Sequence, residues 1–524
     1  MSLKSDTSNS GIYVIEGLTS GQSIPVDGES VTALVGPTPR GPVDYAVSVS
    51  SLAGFQKIFS VPDYHSRLEF AVQQFFANGG NNAVIVRVSG TMVRNQICLP
   101  GPHGDLVLEA RNPGPLEYLR ASVDCDGVED EESFNLVIQR LQCRGSVWID
   151  AQEYYRAISV DPANRDYVGY VLSQSELATL QGSSPSVRPD PTYKPATIRE
   201  AAYIDSLTQC VDSPPPSDYD LIGSATLGTG LNALDDVPDI GQICLISGAE
   251  SAPLGPVAML AADQFCRDRQ ALLIVDPPER WQTVDDVVHD QQRSGFASPN
   301  AVTWFPGAFK KNAQGEKLQT TIVGAIAGSL VAGDQVNGVC RLHDDGPLML
   351  RSGTRLRYDV DADDVHRLSR AGINAIHQRS ALHYQLLGHV TQARYGSIAP
   401  QWNELDLRRQ VLFILRRLRA GTRWTLFQPS VPETWQAVTD QISEFLIELH
   451  GRSILVGEAP QQAFFIKCDG DTNAGLEYKS GELAFVVGFA LRRPGVHMAF
   501  RFQRSSGGCK IAELGWQSGY ARAS

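Results

Sequence analysis

Residues 405–429 read LDLRRQVLFILRRLRAGTRWTLFQP, and the spacing of their side chains decides how this chain ends. At 100° per residue, Leu407, Val411, Ile414, Leu415 and Leu418 fall on one side of a helix. Arg408, Arg409, Arg416 and Arg419 fall within an arc of about 100° beside them, so the expectation is a helix that buries one face and shows a basic stripe. A solvated face and a docking face are equally good readings of such a stripe. A second helix follows, expected to start at Ser430 with Glu433 three residues on, a pairing that satisfies free backbone N–H groups. Trp435, Val438, Ile442, Phe445, Leu446 and Leu449 share its apolar side. Next come an apolar strand over 463–467, closed by Cys468 and Asp469, and strands over 483–490 and 496–502.

Working outward, strands at 243–247, 272–276 and 302–305 alternate with helices at 256–267, 283–292 and 318–331. That alternation implies parallel strands with helices on both faces. Nearer the start, 31–36 reads as a strand ended by a proline-rich turn at 37–42, and Ser51 caps a helix reaching Phe59. A longer helix carries Leu68, Ala71 or Val72, Phe75 and Phe76 at helical spacing, stopped by Gly79 and Gly80 before a strand at 83–88. Ile12, Tyr13, Val14, Ile15 and Glu16 form a short β-prone run with no hairpin partner beside it. From 96 to 236, acidic clusters and proline-serine punctuation replace this regularity. The organisation expected is an arm over 1–25, a central α/β domain from 26–95 with 237–385, an inserted outer domain over 96–236, a C-terminal α/β domain over 386–502 and an extension over 503–524.

The 524 residues are ample for several cores. A hydrophobic share of 42% and a charged share of 20% exclude a wholly disordered chain. A net charge of −13 argues against a surface built to bind nucleic acid. Residues 1–10 lack the apolar core of a signal peptide, and the apolar run at 322–332 is too short to cross a bilayer, so a soluble chain made in the cytoplasm, without membrane insertion, is expected. Nine cysteines with no CxxC pair read as buried thiols rather than a disulfide framework or zinc site.

Motifs that carry chemistry fail one by one. Asp359, Asp361, Asp363 and Asp364 alternate as calcium ligands do, but Asp364 stands where the loop needs glycine and Arg370 where it needs glutamate. The glycine-rich 223–230 stretch has no following Lys-Ser or Lys-Thr and reads as a linker. His377, His383 and His389 recur every six residues, which does not place them on one helical face. Lys467 beside Cys468 would favour a thiolate, yet that cysteine closes an apolar strand with no histidine nearby in sequence, so a structural role is expected. Asp469, Thr472 and Asn473 suit the turn after it. No catalytic residue, metal site or cofactor is expected.

The ordered set Leu407-Arg408-Arg409, Gly421, Trp424 to Pro429 with Phe427, Trp435, Phe445-Leu446, Ala463 to Asp469 with Lys467 and Cys468, Thr472-Asn473 and Phe500-Arg501-Phe502 resembles the end of a contractile tail sheath subunit. Arg40-Gly41-Pro42, Phe55, the run from Phe75 to Gly80 and Val86-Arg87-Val88 resemble its N-terminal region. The family comprises sheaths of myophages, R-type bacteriocins, type VI secretion machines and extracellular contractile injection systems. The resemblance implies a multidomain fold with a three-layer α/β core, an inserted peripheral domain and extended terminal strand arms. It further implies a homo-oligomeric helical sheath of stacked rings around an inner tube protein, with baseplate and terminator or cap proteins and room for a sheath paralogue. Ile12 to Glu16, and Phe500, Arg501 and Phe502, are then candidate strands donated between subunits, and the arginine helix a candidate tube-facing element. This chain departs from the family in having Ser10 where proline is common, and Phe427-Gln428-Pro429-Ser430 for Phe-Glu-Pro-Asn. Two rivals are another self-assembling shell or surface-layer protein, and an enzyme on 240–332 with its ligand near Asp276 or Pro306.

Overall fold

The computed structural model describes residues 23–28, 30–60, 66–90, 93–114, 117–144, 146–193, 202–207, 215–248, 253–294, 296–311, 317–338, 349–350, 355–380, 383–393, 400–476 and 479–518. The chain divides into two compact units, one of residues 30–408 and one of 1–29 with 409–524. The division falls inside a helix and lies beyond 385, where the sequence ends its central domain.

In the larger unit, continuous apolar runs become strands buried on both faces, as parallel strands require. They build a nine-stranded sheet in the order Met349–Leu350, His383–Leu387, Asn374–Ser380, Ala301–Phe305, Leu272–Val275, Ile240–Leu245, Val31–Gly36, Ala83–Arg87, Ala46–Val49. The six strands from Asn374–Ser380 to Ala83–Arg87 are parallel, and antiparallel strands close both sides. The helices expected at 256–267 and 283–292 are Pro256–Arg269 and Val284–Ser294. Ser51 caps its helix by accepting from the Gly54 amide at 3.1 Å.

The helix expected at 318–331 is corrected: Lys317–Thr320 is a strand paired with Ala308–Lys311, and the helix runs Val323–Asn337. Its glycines allow it to lie against Arg67–Ala77, since a Cβ at Gly324 would fall 1.9 Å from the Ala71 carbonyl oxygen. The glycine-rich 223–230 stretch is no linker either. Gly223 and Gly230 take positive φ angles of 68° and 59°, and the Gly230 amide donates to Asp44 Oδ1 at 2.7 Å. Leu221, Leu231 and Leu234 around it belong to the same core as Ile243 and Leu273, so residues 218–234 go with the central sheet and not with the insertion.

The insertion holds two antiparallel sheets. One joins Gln96–Leu99, Leu106–Ala110 and Ala178–Leu180; the other runs Ile204–Asp205, Tyr118–Asp124, Ser133–Arg144, Ser146–Ser159. Alternate residues of Tyr118–Asp124 point into a core of its own, with Leu108, Phe134 and Ile138. Arg40, buried, meets Asp150 of the last strand at 2.9 Å, and Asp150 also takes Arg140 Nε at 2.8 Å. Arg87 donates to the carbonyls of Thr38 and Gly41, which shapes the turn after Val31–Gly36. Burial pushes its guanidinium down to about 10, opposed by Glu117 and Asp44, so it remains charged at neutral pH.

In the smaller unit, helix Pro432–Gly451 buries Val438, Ile442, Phe445, Leu446 and Leu449, as their spacing requires. Its start corrects the expected capping pair: the residue before the helix is Val431, and Pro432 opens it. Proline has its φ preset and lacks the N–H that a cap would satisfy. Ser430 accepts from Trp435 Nε1 at 3.0 Å instead. Four antiparallel strands follow in sequential order, Phe464–Lys467, Leu483–Phe489, Val496–Ser505 and Gly508–Ser518. Residues 23–28 belong to this unit: Ile24 and Val26 are buried, Arg417 Nη2 donates to the Gly28 carbonyl at 2.7 Å, and Arg452 grips Asp27 at 2.5 and 2.8 Å.

Candidate assembly surfaces

The arginine helix, Leu405–Gly421, overturns the expected basic stripe. Every residue from 407 to 418 is buried, with Arg408 at 9%, Arg409 at 6% and Arg416 at 6% exposure, and Arg419 is half-buried. Arg408 donates Nε to Asn300 Oδ1 at 2.8 Å and lies 4.3 Å over the Trp402 ring. Arg417, which spacing put outside the stripe, lies 5.1 Å over Phe413. Guanidinium planes stack on rings and bond through a fixed fork, so they tolerate burial that spacing alone reads as exposure. Arg504, which sequence reasoning missed, bonds the Arg419 carbonyl at 2.6 Å and Thr422 Oγ1 at 2.9 Å, satisfying the end of the helix.

The closing strand is likewise not a free arm. Val496–Ser505 is paired on both sides, with Leu483–Phe489 and Gly508–Ser518. Phe500 and Phe502 are core residues, stacked on Phe489 and Phe485 with ring centroids 5.6 and 4.6 Å apart, while Arg501 points to solvent. Alternation of apolar and polar residues is the pattern of a strand with one face on a core. Its neighbour Gly508–Ser518 stands where the extension over 503–524 was expected, and among the described residues its other edge is open, with Leu514 and Trp516 exposed. The other candidate arm, Ile12 to Glu16, lies outside the described residues.

The turn after Phe464–Lys467 is fixed by side chains. Asp469 Oδ1 accepts from the Thr472 amide at 2.9 Å and hydroxyl at 2.7 Å. Asn473, fully buried, exchanges hydrogen bonds with the Ala484 backbone at 3.0 and 2.7 Å and so locks the turn to the next strand. Burial raises the Cys468 thiol to about 12, against a weaker opposing bond from Asn473. Lys467 sits 3.7 Å from Asp469 and does not activate it. At pH 8 the folded chain should therefore alkylate Cys468 at least about a hundredfold more slowly than the unfolded chain, by mass spectrometry after iodoacetamide; equal rates would make it a reactive thiol. Trp424 is buried and donates to Gln441 Oε1 at 2.9 Å, whereas Phe427 is 77% exposed and Pro429 is exposed beside it. Of the Trp424 to Pro429 segment, then, Phe427, Gln428 and Pro429 are what the surface presents.

At the carboxyl ends of Ile240–Leu245, Leu272–Val275 and Ala301–Phe305 lies a cavity of about 460 Å³. Asp276 stands in its wall, but Oδ1 accepts from the Ile322 amide at 2.8 Å and Oδ2 is 3.6 Å from Arg67. Both oxygens are engaged in the structure, so Asp276 is not a free base. Among the described residues, no cluster of three or more His, Cys, Asp or Glu is placed to hold a metal. No helix among them is long and apolar enough to cross a membrane.

No protein-family model and no curated protein matches the sequence. Solved structures do match the fold. The sheath tail protein from Listeria innocua superposes with a TM-score of 0.59 at 9% identity, covering 93% of this chain and 96% of that one. The sheath of an extracellular contractile injection system, PVC, in its contracted state gives 0.51 at 14% identity, covering 94% and 96%. The sheath tail protein from Desulfitobacterium hafniense gives 0.51 at 9% identity, covering 94% and 97%. The chain has the multidomain α/β fold of these contractile sheath proteins over nearly its whole length.

Proposed function

We propose, from this sheath-protein fold, that the chain is a structural subunit of a contractile tail sheath, polymerising around an inner tube and contracting to drive it through a target envelope. The observation that supports this best is that both units, the insertion included, are matched along 93% of the chain. The copies would stack as rings of a helical sheath, meeting baseplate and terminator or cap proteins at its ends and a sheath paralogue where one exists. The particle would be assembled in the cytoplasm, before use as a phage tail, a released particle or a cell-anchored machine.

The edge of Gly508–Ser518, open among the described residues, suits such a polymer. An edge strand is a liability on a lone molecule but an adhesive when another chain adds a strand, because main-chain hydrogen bonds join the copies while linkers still bend. Residues 12–16 are the donor we assign. Small differences in interface free energy, multiplied along the polymer, would then drive contraction without chemistry. Because the arginine helix is buried, its role toward the tube would be to hold the C-terminal unit in shape, leaving contact to exposed residues such as Phe427.

Electron microscopy of the purified protein tests the reading: hollow helical sleeves support it, whereas cages or sheets favour a shell and discrete particles an enzyme. Sleeves are also expected to contract without ATP and to release no phosphate from it. Hydrolysis that is lost on Asp276→Asn would revive the enzyme.

A further inference from the structure

We propose that the inserted domain is a hinged body, fastened to the central sheet domain by a releasable catch in which Asp150 holds Arg40. The two parts have cores of their own. Leu99, Leu108, Phe134 and Ile138 pack in one, and Ala33, Val86, Ile243 and Leu273 in the other. Bodies with separate cores and a polar joint between them move relative to one another unless something fixes them.

The joint is built from charges. Tyr118 stands across from Leu141, and Leu141 across from Ile149, so Glu117, Arg140 and Asp150 come together at one end of the insertion's four-stranded sheet. That end meets the turn after Val31–Gly36. Glu117 Oε1 accepts from the Gly41 amide at 3.3 Å, and Asp150 Oδ2 accepts from Arg40 Nη1 at 2.9 Å. Arg87 holds the same turn through the Thr38 and Gly41 carbonyls.

An irregularity aims the carboxylate. Arg140 pairs with Ala151 and Leu141 with Ile149, which makes Asp150 the extra residue of a β-bulge. A bulge turns a side chain out of the strand's alternation. Here it puts Asp150 on Arg140 Nε at 2.8 Å, on Gln142 Nε2 at 2.8 Å and, across the joint, on Arg40. The first two partners belong to the same hairpin, so the catch keeps its shape whether or not Arg40 is engaged.

Arg40 makes the catch reversible. Its side chain is 2% exposed when the joint is closed, and its Nε has no hydrogen-bond partner there. Nη2 donates to the Lys57 carbonyl at 2.8 Å. Closing the joint strips a guanidinium of its hydration and leaves one donor unfilled, and opening returns both to water. The pull of Asp150 is set against these costs, so a single carboxylate decides between the closed and open forms.

Phenylglyoxal, which modifies accessible guanidiniums, reads the joint in the full chain without any assembly, so the outcome is independent of the sheath reading. Modification of Arg40, followed by mass spectrometry, is expected to be slow in the wild type. In Asp150→Asn it should be about tenfold or more faster, the factor for losing a hydrogen bond between charged groups. Arg87, buried at the same turn, should stay slow in both proteins, and thermal unfolding should stay near the wild-type value. Arg140→Ala removes a partner on the hairpin's own side and should release Arg40 far less than Asp150→Asn does. An unchanged Arg40 rate in Asp150→Asn overturns the catch. A rise shared by Arg40 and Arg87, which is unfolding of the turn itself, or equal release by Arg140→Ala overturns it as well.

Discussion

Arg408→Ala is expected to lower the free energy of unfolding by about 2–4 kcal/mol, whereas Arg419→Ala on the same helix should cost under about 1 kcal/mol. Arg408 has its Nε on Asn300 and its guanidinium over Trp402. Asn300 is itself fully buried, and its Nδ2 already has no partner. Removing Arg408 therefore leaves a whole carboxamide unsatisfied and strips the face of an indole. Arg408→Lys should recover less than half of the loss, since an ammonium cannot supply the same fork and stack. Against a typical stability of about 5–15 kcal/mol, a deficit of this size shifts a denaturant midpoint well beyond error while the slope stays constant. Wild-type unfolding of Arg408→Ala would restore the reading of an exposed basic stripe.

That helix also shows where sequence reasoning stops. Spacing identified the side formed by Val411, Leu415 and Leu418, because one buried face leaves a period of 3.6 residues. It carries no information on whether a further layer covers the opposite side, and arginine fills such a layer without breaking the pattern. The parallel strands were legible because burial on both faces leaves runs such as 272–275. Lys317–Thr320 was misread because a short strand beside a helix made one continuous pattern. The hairpin ending in Gly508–Ser518 had a readable signal: Ser506 and Gly507 form a two-residue turn between alternating runs. The cavity lined by Leu245 and Gln392 had none, since it is made by residues 147 positions apart in the chain. Asp469, Thr472 and Asn473 were read as turn formers and Cys468 as structural, although which backbone Asn473 holds needed the structure.

Deleting residues 1–20 is expected to leave folding intact and to abolish sleeves at ordinary concentrations. The run Ile12 to Glu16 has the composition of a strand, and among the described residues Gly508–Ser518 is an edge without a second neighbour in its sheet. A five-residue strand added there makes about four or five main-chain hydrogen bonds, each contributing about 0.5–1.5 kcal/mol net. Ordering the arm offsets part of this, yet about 3 kcal/mol remaining would change an association constant more than a hundredfold. Folding should survive because the residues that hold the start of the chain to the C-terminal unit lie beyond the cut: Ile24 and Val26 in the core, Asp27 on Arg452 and Gly28 on Arg417. Removing residues 1–28 supplies the contrast. It strips two buried apolar side chains at about 1.5–3 kcal/mol each, so thermal unfolding should fall by many degrees. Unfolding of both deletions is followed by circular dichroism, and sleeves are counted by electron microscopy over a concentration series. If the 1–20 deletion assembles like the full chain, the donated strand lies elsewhere; if it unfolds like the 1–28 deletion, the arm is part of its own subunit's core.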